Sequence, residues 1–313
     1  MIFLFSITVL LQILLIPTVS PLVVGVIRKM KARFQNREGA SVFQPYFDIA
    51  KLFRKDEVLS EDASWIFRVA PFVVFGVTIL IGWSVPILFL GTTYVPASDF
   101  LVIMYLFLLA TFFLALAGLD TGSGFGGFGS SREMMVSALA EGGLLFSLLV
   151  PALATGTTNV TLMVEMIQKL SPTQFVPILV AFLSFFIAFL AENSRFPVDN
   201  PATHLELTMI HEAMILEYSG KRLALMEWAA MNKLLIFIAL GGGIFFPWGV
   251  SGHIGFGALL IALSAFALKT GLFALAVAGS ESTIAKFRIF RVPDFLFTSL
   301  VLGMIAIGII VTI

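Results

Sequence analysis

Residues 100–119 read FLVIMYLFLLATFFLALAGL, an uninterrupted run without a single charged side chain. An apolar run of about 20 residues is the length that an α-helix needs to cross the hydrocarbon core of a bilayer. Because the run shows no alternation of apolar and polar residues, it predicts a membrane-spanning helix. Similar runs elsewhere predict an all-α polytopic membrane protein with about eight transmembrane helices. The predicted spans are residues 2–27, 69–91, 99–119, 133–155, 174–191, 228–249, 254–280 and 293–313.

Composition agrees with this fold class and excludes several functions. Of the 313 residues, 59% are hydrophobic and only 12% are charged, about half the charged fraction of a soluble domain. The 19 basic and 19 acidic residues cancel, which argues against a nucleic-acid partner. The lack of cysteine excludes disulfides, thiolate-bound zinc and iron–sulfur clusters in this chain. We expect one integral membrane domain over residues 1–313, without a cleavable signal peptide, because the first basic residue is Arg28.

The distribution of lysine and arginine predicts how the chain is oriented in the membrane. With the N-terminus outside, the cytoplasmic loops are residues 28–68, 120–132, 192–227 and 281–292. These four loops hold 16 of the 19 basic residues. Since cytoplasmic loops are enriched in Lys and Arg, the count predicts an N-out, C-out topology in the cytoplasmic membrane. The charged working surface would then face the cytoplasm.

The first polar loop contains a candidate amphipathic helix. Two interpretations of it remain open: it lies at the membrane surface or against a partner protein, or the loop is basic only to set topology. The interleaved aromatic residues favour a docking role. The apolar positions at helical spacing are Val42, Phe43, Tyr46, Ile49, Ala50 and Phe53, and the polar positions opposite are Gln44, Asp48, Lys51 and Lys55.

The third predicted loop combines prolines with acids and histidines. Pro197 and Pro201 predict a fixed loop, after which the pattern becomes helical again. The spacing of the histidines and acids is not His-Glu-x-x-His, which disfavours a metal site and favours proton-accepting or structural roles. The spacing places Glu206, Ile210, Ala213 and Glu217 on one predicted helical face. An adjacent face carries His204 and His211, and Glu212 follows His211 in the sequence.

Three ionisable residues fall inside the predicted spans or at their ends. They are Glu141, Lys269 and Glu192. A charged side chain at membrane depth costs about 2.5–3.5 kcal/mol on insertion scales, so it seldom lies there without a partner or a task. Such residues predict a proton path. The alternative is a buried Glu–Lys pair that holds two helices together.

The glycine-rich segment 120–129 contains a formal G-x-G-x-x-G pattern. A membrane helix precedes it instead of a strand, so a nucleotide-binding interpretation is rejected. The segment predicts a tight turn, with Ser130 or Ser131 as a cap of the next helix. No nucleophile–base arrangement is visible, and nothing in the chain resembles an active site of its own.

Three of these polar segments resemble those of a known family. Residues 28–39 (RKMKARFQNREG) and 44–52 (QPYFDIAKL) are similar to the first cytoplasmic loop of the respiratory complex I subunit 1 family. Residues 191–199 (AENSRFPVD) and 217–220 (EYSG) resemble its third cytoplasmic loop. Residues 117–123 (AGLDTGS), followed by SRE at 131–133, look like the hydrogenase branch, which includes formate hydrogenlyase and energy-converting group 4 [NiFe]-hydrogenases.

The resemblance implies a membrane-anchor and coupling subunit of a redox-driven ion-pumping oxidoreductase complex, itself non-catalytic. Implied partners are the hydrogenase large and small subunits, which would hold the [NiFe] centre and iron–sulfur clusters, antiporter-like and other small membrane subunits, and lipid. Docking residues would be Arg28, Arg33, Arg37, Gln44, Asp48, Lys51 and Arg195. By position the acidic chain into the membrane would include Glu141, Glu192, Asp199, Glu206 and Glu217, to which the local pattern adds His204, His211, Glu212 and Lys269.

Two other functions remain open. The chain could form the quinone-binding subunit of a complex I-like NADH/quinone oxidoreductase, although members that react with quinone carry a longer Gly/Pro-rich stretch after the position of Gly39. A stand-alone secondary transporter is the other. Such transporters often show internal repeats, and no repeat is visible here.

Overall fold

The computed structural model describes residues 2–60, 62–89, 98–199, 209–250 and 255–312, and helices joined by turns and loops make up these residues, with no strand among them. Eight of the helices are long and apolar enough to cross a membrane, which confirms the predicted fold class and number of spans. The α-helices are α1 Ile2–Phe34, α2 Gln44–Phe53, α3 Trp65–Ser84, α4 Phe100–Asp120, α5 Gly124–Thr155, α6 Val160–Ile167, α7 Pro172–Glu192, α8 His211–Ile215, α9 Gly220–Ile244, α10 Phe256–Thr283 and α11 Val292–Thr312.

The largest shift in a boundary is at the start of α5. The turn predicted over residues 120–129 is wrong beyond Ser123, because the helix already begins at Gly124. A Cβ on Gly126 would lie 2.2 Å from the carbonyl oxygen of Gly118 in α4, so glycine lets the two helices touch. The predicted cap is wrong for the same reason, since Ser130 lies inside α5 and donates to the carbonyl oxygen of Ala115 at 2.9 Å.

A proline within α1 explains how α9 is joined to it. Pro21 has no N–H, so it leaves the carbonyl oxygen of Pro17 without its usual helical donor. The indole Nε1 of Trp228 in α9 donates to that oxygen at 2.9 Å. An obligatory gap in the hydrogen bonds of α1 is thus filled by a side chain of a neighbouring helix.

The predicted amphipathic helix forms as α2, and its apolar face is confirmed at Ile49 and Phe53 but not at Phe43 and Ala50. Pro45 and Ile49 are buried. Phe43, which was expected on the apolar face, is 58% exposed, and Phe47 is 63% exposed. The hydroxyl of Tyr46 donates to the carbonyl oxygen of Thr18, so α2 lies against the middle of α1. The sequence had placed α2 beyond the end of α1 that is predicted to be cytoplasmic.

One end of the helices, which we call the charged end, brings together residues 31–60, 62–64, 120–124, 192–199, 209–222 and 281–292. Asp120 at the end of α4 accepts hydrogen bonds from the backbone N–H groups of Ser64 and Phe67, at 2.8 and 3.3 Å, and so caps the start of α3. The predicted cytoplasmic loops therefore gather on the same side. That this side faces the cytoplasm remains a prediction.

Candidate functional site

A cavity of about 530 Å³ opens at the charged end, between α1, α9 and the segment after α7. We call it the loop cavity. Its wall carries charges of both signs, which makes it a place for water and polar groups inside a largely apolar protein. The charged residues that line it are Arg28, Lys31, Arg37, Arg195, Glu212, Glu227 and Glu281.

A second cavity, of about 70 Å³, lies deeper between the helices. We call it the core cavity, and its ionisable lining residues are Glu133, Glu192, His211 and Lys233. This volume is enough for more than one water molecule, each of which needs at least about 10–15 Å³. The two cavities share the lining residues Asn193, Ser194, His211 and Ala230. The two cavities are therefore neighbours, and these shared residues form the wall between them.

An ion pair between Glu192 and Lys233 dominates the core cavity. Lys233 Nζ in α9 lies 2.8 Å from Glu192 Oε2 at the end of α7, and the Glu192 side chain is only 4% exposed. Within the described part of the chain, the other carboxylate oxygen of Glu192 has no hydrogen-bond donor. The alternative of a buried Glu–Lys pair is thus realised here, yet one carboxylate oxygen beside the cavity is left for water or a proton.

Asp199 is buried and holds the loop after α7 in place. Its carboxylate accepts hydrogen bonds from the backbone N–H groups of Ile210 and His211, at 3.1 and 3.3 Å, and pairs with Lys286 Nζ at 2.8 Å. These contacts fix the segment that carries His211 against the segment after α10. Asp199 lines neither cavity, so its contacts describe an anchor.

His211 lines both cavities and Glu212 lines the loop cavity, and the pKa values of the two residues move in opposite directions. Burial, followed by the charge of Lys233, lowers the pKa of His211 to about 4. Burial, followed by the charge of Glu227, raises the pKa of Glu212 to about 7. At neutral pH the imidazole is therefore uncharged and the Glu212 carboxyl exchanges its proton readily.

The predicted acidic chain is assembled only in part. Glu217 is exposed, and α8 ends at Ile215, so the shared helical face predicted for it is wrong at that end. His204 and Glu206 lie outside the described residues. Among the residues that the structure covers, no group of three acids or histidines is arranged to hold a metal ion.

Glu141 and Lys269 lie apart from this site. Glu141 accepts a hydrogen bond from the hydroxyl of Ser137, one turn earlier in α5, at 3.1 Å. Lys269 is buried in α10, with its ammonium 4.8 Å from the centre of the Trp248 ring. No ion pair joins either of them to another residue in the described ranges.

Some of the residues predicted for docking are exposed to solvent, and others are held in contacts within the chain. Arg33, Arg37 and Lys51 are exposed. Gln44 donates to Asp48 within α2 at 2.8 Å, and Arg195 is bound to the buried carboxylate of Glu281 at 3.1 Å. Arg28 is exposed at the rim of the loop cavity. Arg195 is therefore a structural residue at the charged end as well as a candidate for docking.

Sequence reasoning missed Glu133, Lys233, Glu227 and Glu281 as parts of the site. Glu133 was placed at the first position of a span, yet it is 6% exposed and faces the core cavity. A signal did exist, because Glu133, Ser137 and Glu141 recur at intervals of four residues and make a polar stripe on an otherwise apolar helix.

Comparison with known proteins gives the family. The sequence model described as NADH dehydrogenase matches residues 6–313, which is nearly the whole chain. The chain belongs to this family, that of complex I subunit 1. Formate hydrogenlyase subunit 4 of Escherichia coli is 34% identical over 91% of this chain and 92% of its own length. Hydrogenase-4 component C of the same organism is 31% identical over 88% of this chain and 87% of its own length.

Other similarities extend beyond the hydrogenase branch. Subunit 8 of the NADH-quinone oxidoreductase of Thermus thermophilus is 32% identical over 68% of this chain and 61% of its own length. A chain in the structure of an archaeal membrane-bound sulfane sulfur reductase, a respiratory membrane complex, shares the fold, with a TM-score of 0.82 and 21% identity over 96% of this chain and 98% of that one. The protein is thus a multi-pass membrane protein whose relatives are subunits of respiratory and hydrogenase complexes.

Proposed function

We propose that the chain is the membrane-anchor and coupling subunit of a complex of the energy-converting [NiFe]-hydrogenase or formate hydrogenlyase type, in the cytoplasmic membrane. Its charged end docks the peripheral electron-transfer arm, whose large and small subunits hold the [NiFe] centre and iron–sulfur clusters. Its buried carboxylates pass protons, or transmit charge changes, towards antiporter-like membrane subunits. Redox chemistry belongs to the partners.

The observation that carries this proposal is the contact between the loop cavity and the core cavity. Together they lead from exposed arginines at the charged end to Glu192 and Glu133, inside the helices. Glu212, with a pKa near 7, stands in the wall of the loop cavity next to His211, which lines both cavities, and it gains and loses a proton at neutral pH. A chain of carboxylates and small polar cavities is the usual arrangement for proton transfer within membranes.

The path continues towards Glu141 by a longer step. Glu133 and Glu141 are two turns apart on α5, a rise of about 12 Å, with Ser137 between them. This separation exceeds a hydrogen bond, so transfer between them requires water or a change in the packing of α4 against α5. Such a step is where a redox event in the arm would control the flow of protons.

Docking of the arm is supported by the exposed groups at the charged end. Arg33, Arg37 and Lys51 are exposed cations that would face acidic groups of a partner. Phe43 and Phe47 are exposed on α2 and supply apolar area beside them. This mixture of aromatic residues and arginine is typical of protein interfaces.

The test is proton uptake by vesicles that contain the whole complex. Glu192→Gln removes the charge but keeps the shape, and we expect hydrogen formation to persist while protons translocated per hydrogen fall at least tenfold. Glu165→Gln is the control, because Glu165 is an exposed residue of α6 that lines neither cavity and pairs with the exposed Lys169. An unchanged ratio in Glu192→Gln would contradict the proposal. The same vesicles in sodium-free buffer decide between H⁺ and Na⁺.

A second candidate function is binding of quinone in the loop cavity. Its volume of about 530 Å³ lies in the range of ordinary ligand sites, which is about 300–1,000 Å³. Quinone-dependent turnover of the purified complex, lost when Ala230 in the wall of the cavity is enlarged to Trp, would favour this function over the first.

A further inference from the structure

A groove of about 290 Å³ runs along the outside of the helices between α4 and α5. Its rim is formed by exposed apolar side chains, among them Leu108, Phe112 and Met134. Its floor includes the small residues Ala115 and Ala138, which let another helix approach closely. The residues that line the groove all belong to two membrane-spanning helices, α4 and α5.

Glu141 lines this groove and is the groove residue of α5 that lies farthest from the charged end. It is about 25 Å along α5 from Gly124 and about 21 Å from Thr155, which places it near the middle of the span. The side chain is partly exposed. Its carboxylate is thus on the surface that α4 and α5 present, at a depth where lipid offers neither hydrogen bonds nor charge.

The surroundings of Glu141 differ from those of the buried acids at the charged end. Glu192, Asp199 and Glu281 each have a lysine or arginine within 3.1 Å. Glu141 has the Ser137 hydroxyl but no cation within ion-pair distance in the described ranges. An acid placed at membrane depth without a cation in its own chain is complementary to a cation from outside.

We propose that this groove seats one transmembrane helix of a partner subunit, and that the helix places a lysine, arginine or histidine against Glu141. The inference deepens the proposed function, on which it rests only in requiring that the chain act within a complex. The apolar rim packs against the partner helix, and the small floor brings its backbone near. The carboxylate then sets the register, because only one depth along the partner helix satisfies it.

A site-directed cross-link tests the occupant. The chain has no cysteine, so Phe112→Cys gives this chain a single thiol for a photo-activated cross-linker, and the adducts that contain this chain are isolated from membranes that hold the whole complex. Leu272→Cys on α10 is the matched control, since both native side chains are 52% exposed. We expect position 112 to capture one membrane subunit, through a helix with a Lys, Arg or His within two turns of the linked residue. Position 272 should not capture that subunit.

Charge reversal tests the role of Glu141. In the Phe112→Cys background, Glu141→Lys should lower the yield of the adduct at least tenfold, and Glu141→Gln, which keeps hydrogen bonds, should lower it about threefold. Adducts with lipid alone, or with a second copy of this chain, would overturn the inference. So would a yield unchanged by both substitutions, or a captured helix without a basic residue.

The measurement separates this inference from the proposed function. The adduct reports assembly, and it forms whether or not protons move. If the adduct forms while Glu192→Gln translocates normally, the docking surface is supported and the proton path is contradicted. If the adduct is missing while Glu192→Gln stops translocation, the docking surface is contradicted and the proton path is supported.

Discussion

The acids of the charged end and the ionisable residues deep in the membrane differ in whether the fold gives them a partner of opposite charge. At the charged end Glu192, Asp199 and Glu281 are nearly inaccessible, and each is bound to a cation from another segment. Deep in the spans Glu141 and Lys269 have only a hydroxyl and an aromatic ring as partners in the described residues. The difference shows that paired charges hold the loops together, whereas the deep charges are left open to other groups.

The strongest test of this comparison removes the cation of the core cavity. Lys233→Met leaves the Glu192 carboxylate buried without its partner, and we expect the free energy of unfolding in detergent to fall by about 3–5 kcal/mol. The double variant with Glu192→Gln no longer buries an uncompensated charge and should recover at least half of that loss. Equal losses in the single and double variants would mean that the pair does not act as a unit.

Glu281 offers a smaller test, because it has two cations. Lys31 Nζ lies 2.9 Å and Arg195 Nη1 lies 3.1 Å from its two oxygens. Changing either cation to methionine leaves the other in place, so each single variant should lose about 1–2 kcal/mol of unfolding free energy. Changing both should cost more than the sum of the singles. Strict additivity would show that the two cations act independently.

How far the sequence predicts this molecule depends on whether a feature is local. The eight spans follow from apolar runs, and Glu192 and Asp199 follow from their place beside a proline-containing loop. The pairs do not, because Arg195 and Glu281 are 86 residues apart and Glu192 and Lys233 are 41 apart, and only helix packing brings them together. The start of α5 was missed because the contact of Gly126 with Gly118 belongs to tertiary structure.

Between the two regions, His211 and Glu212 predict opposite pH dependences. A Glu212 pKa raised from 4.5 to about 7 gives stability that is full below pH 4.5 and lost as pH rises through 7. A His211 pKa lowered from 6.5 to about 4 gives stability that is full above pH 6.5 and lost as pH falls through 4. The two effects oppose each other between about pH 4.5 and 6.5.

Melting curves of the variants separate these effects. From pH 5 to 7 the wild type should lose melting temperature relative to Glu212→Gln, and gain relative to His211→Asn, by about 4–8 °C in each case, which is about 2 kcal/mol. Parallel curves for all three proteins would mean that these groups keep their ordinary titration in the fold. Glu165→Gln, far from both cavities, should follow the wild type throughout.

The smallest expected effect comes from Lys269, although it is a lysine buried at membrane depth. Lys269→Met removes a contact with the Trp248 ring worth up to about 2 kcal/mol, and also removes a charge that costs about 2.5–3.5 kcal/mol in a span. Because these terms nearly cancel and no acid among the described residues loses a partner, the free energy of unfolding should stay within about 1 kcal/mol of the wild type. The same substitution at Lys233 is the matched case with an acid left behind. A loss at Lys269 as large as that at Lys233 would show that Lys269 also neutralises a buried anion, and the two regions would then follow one rule.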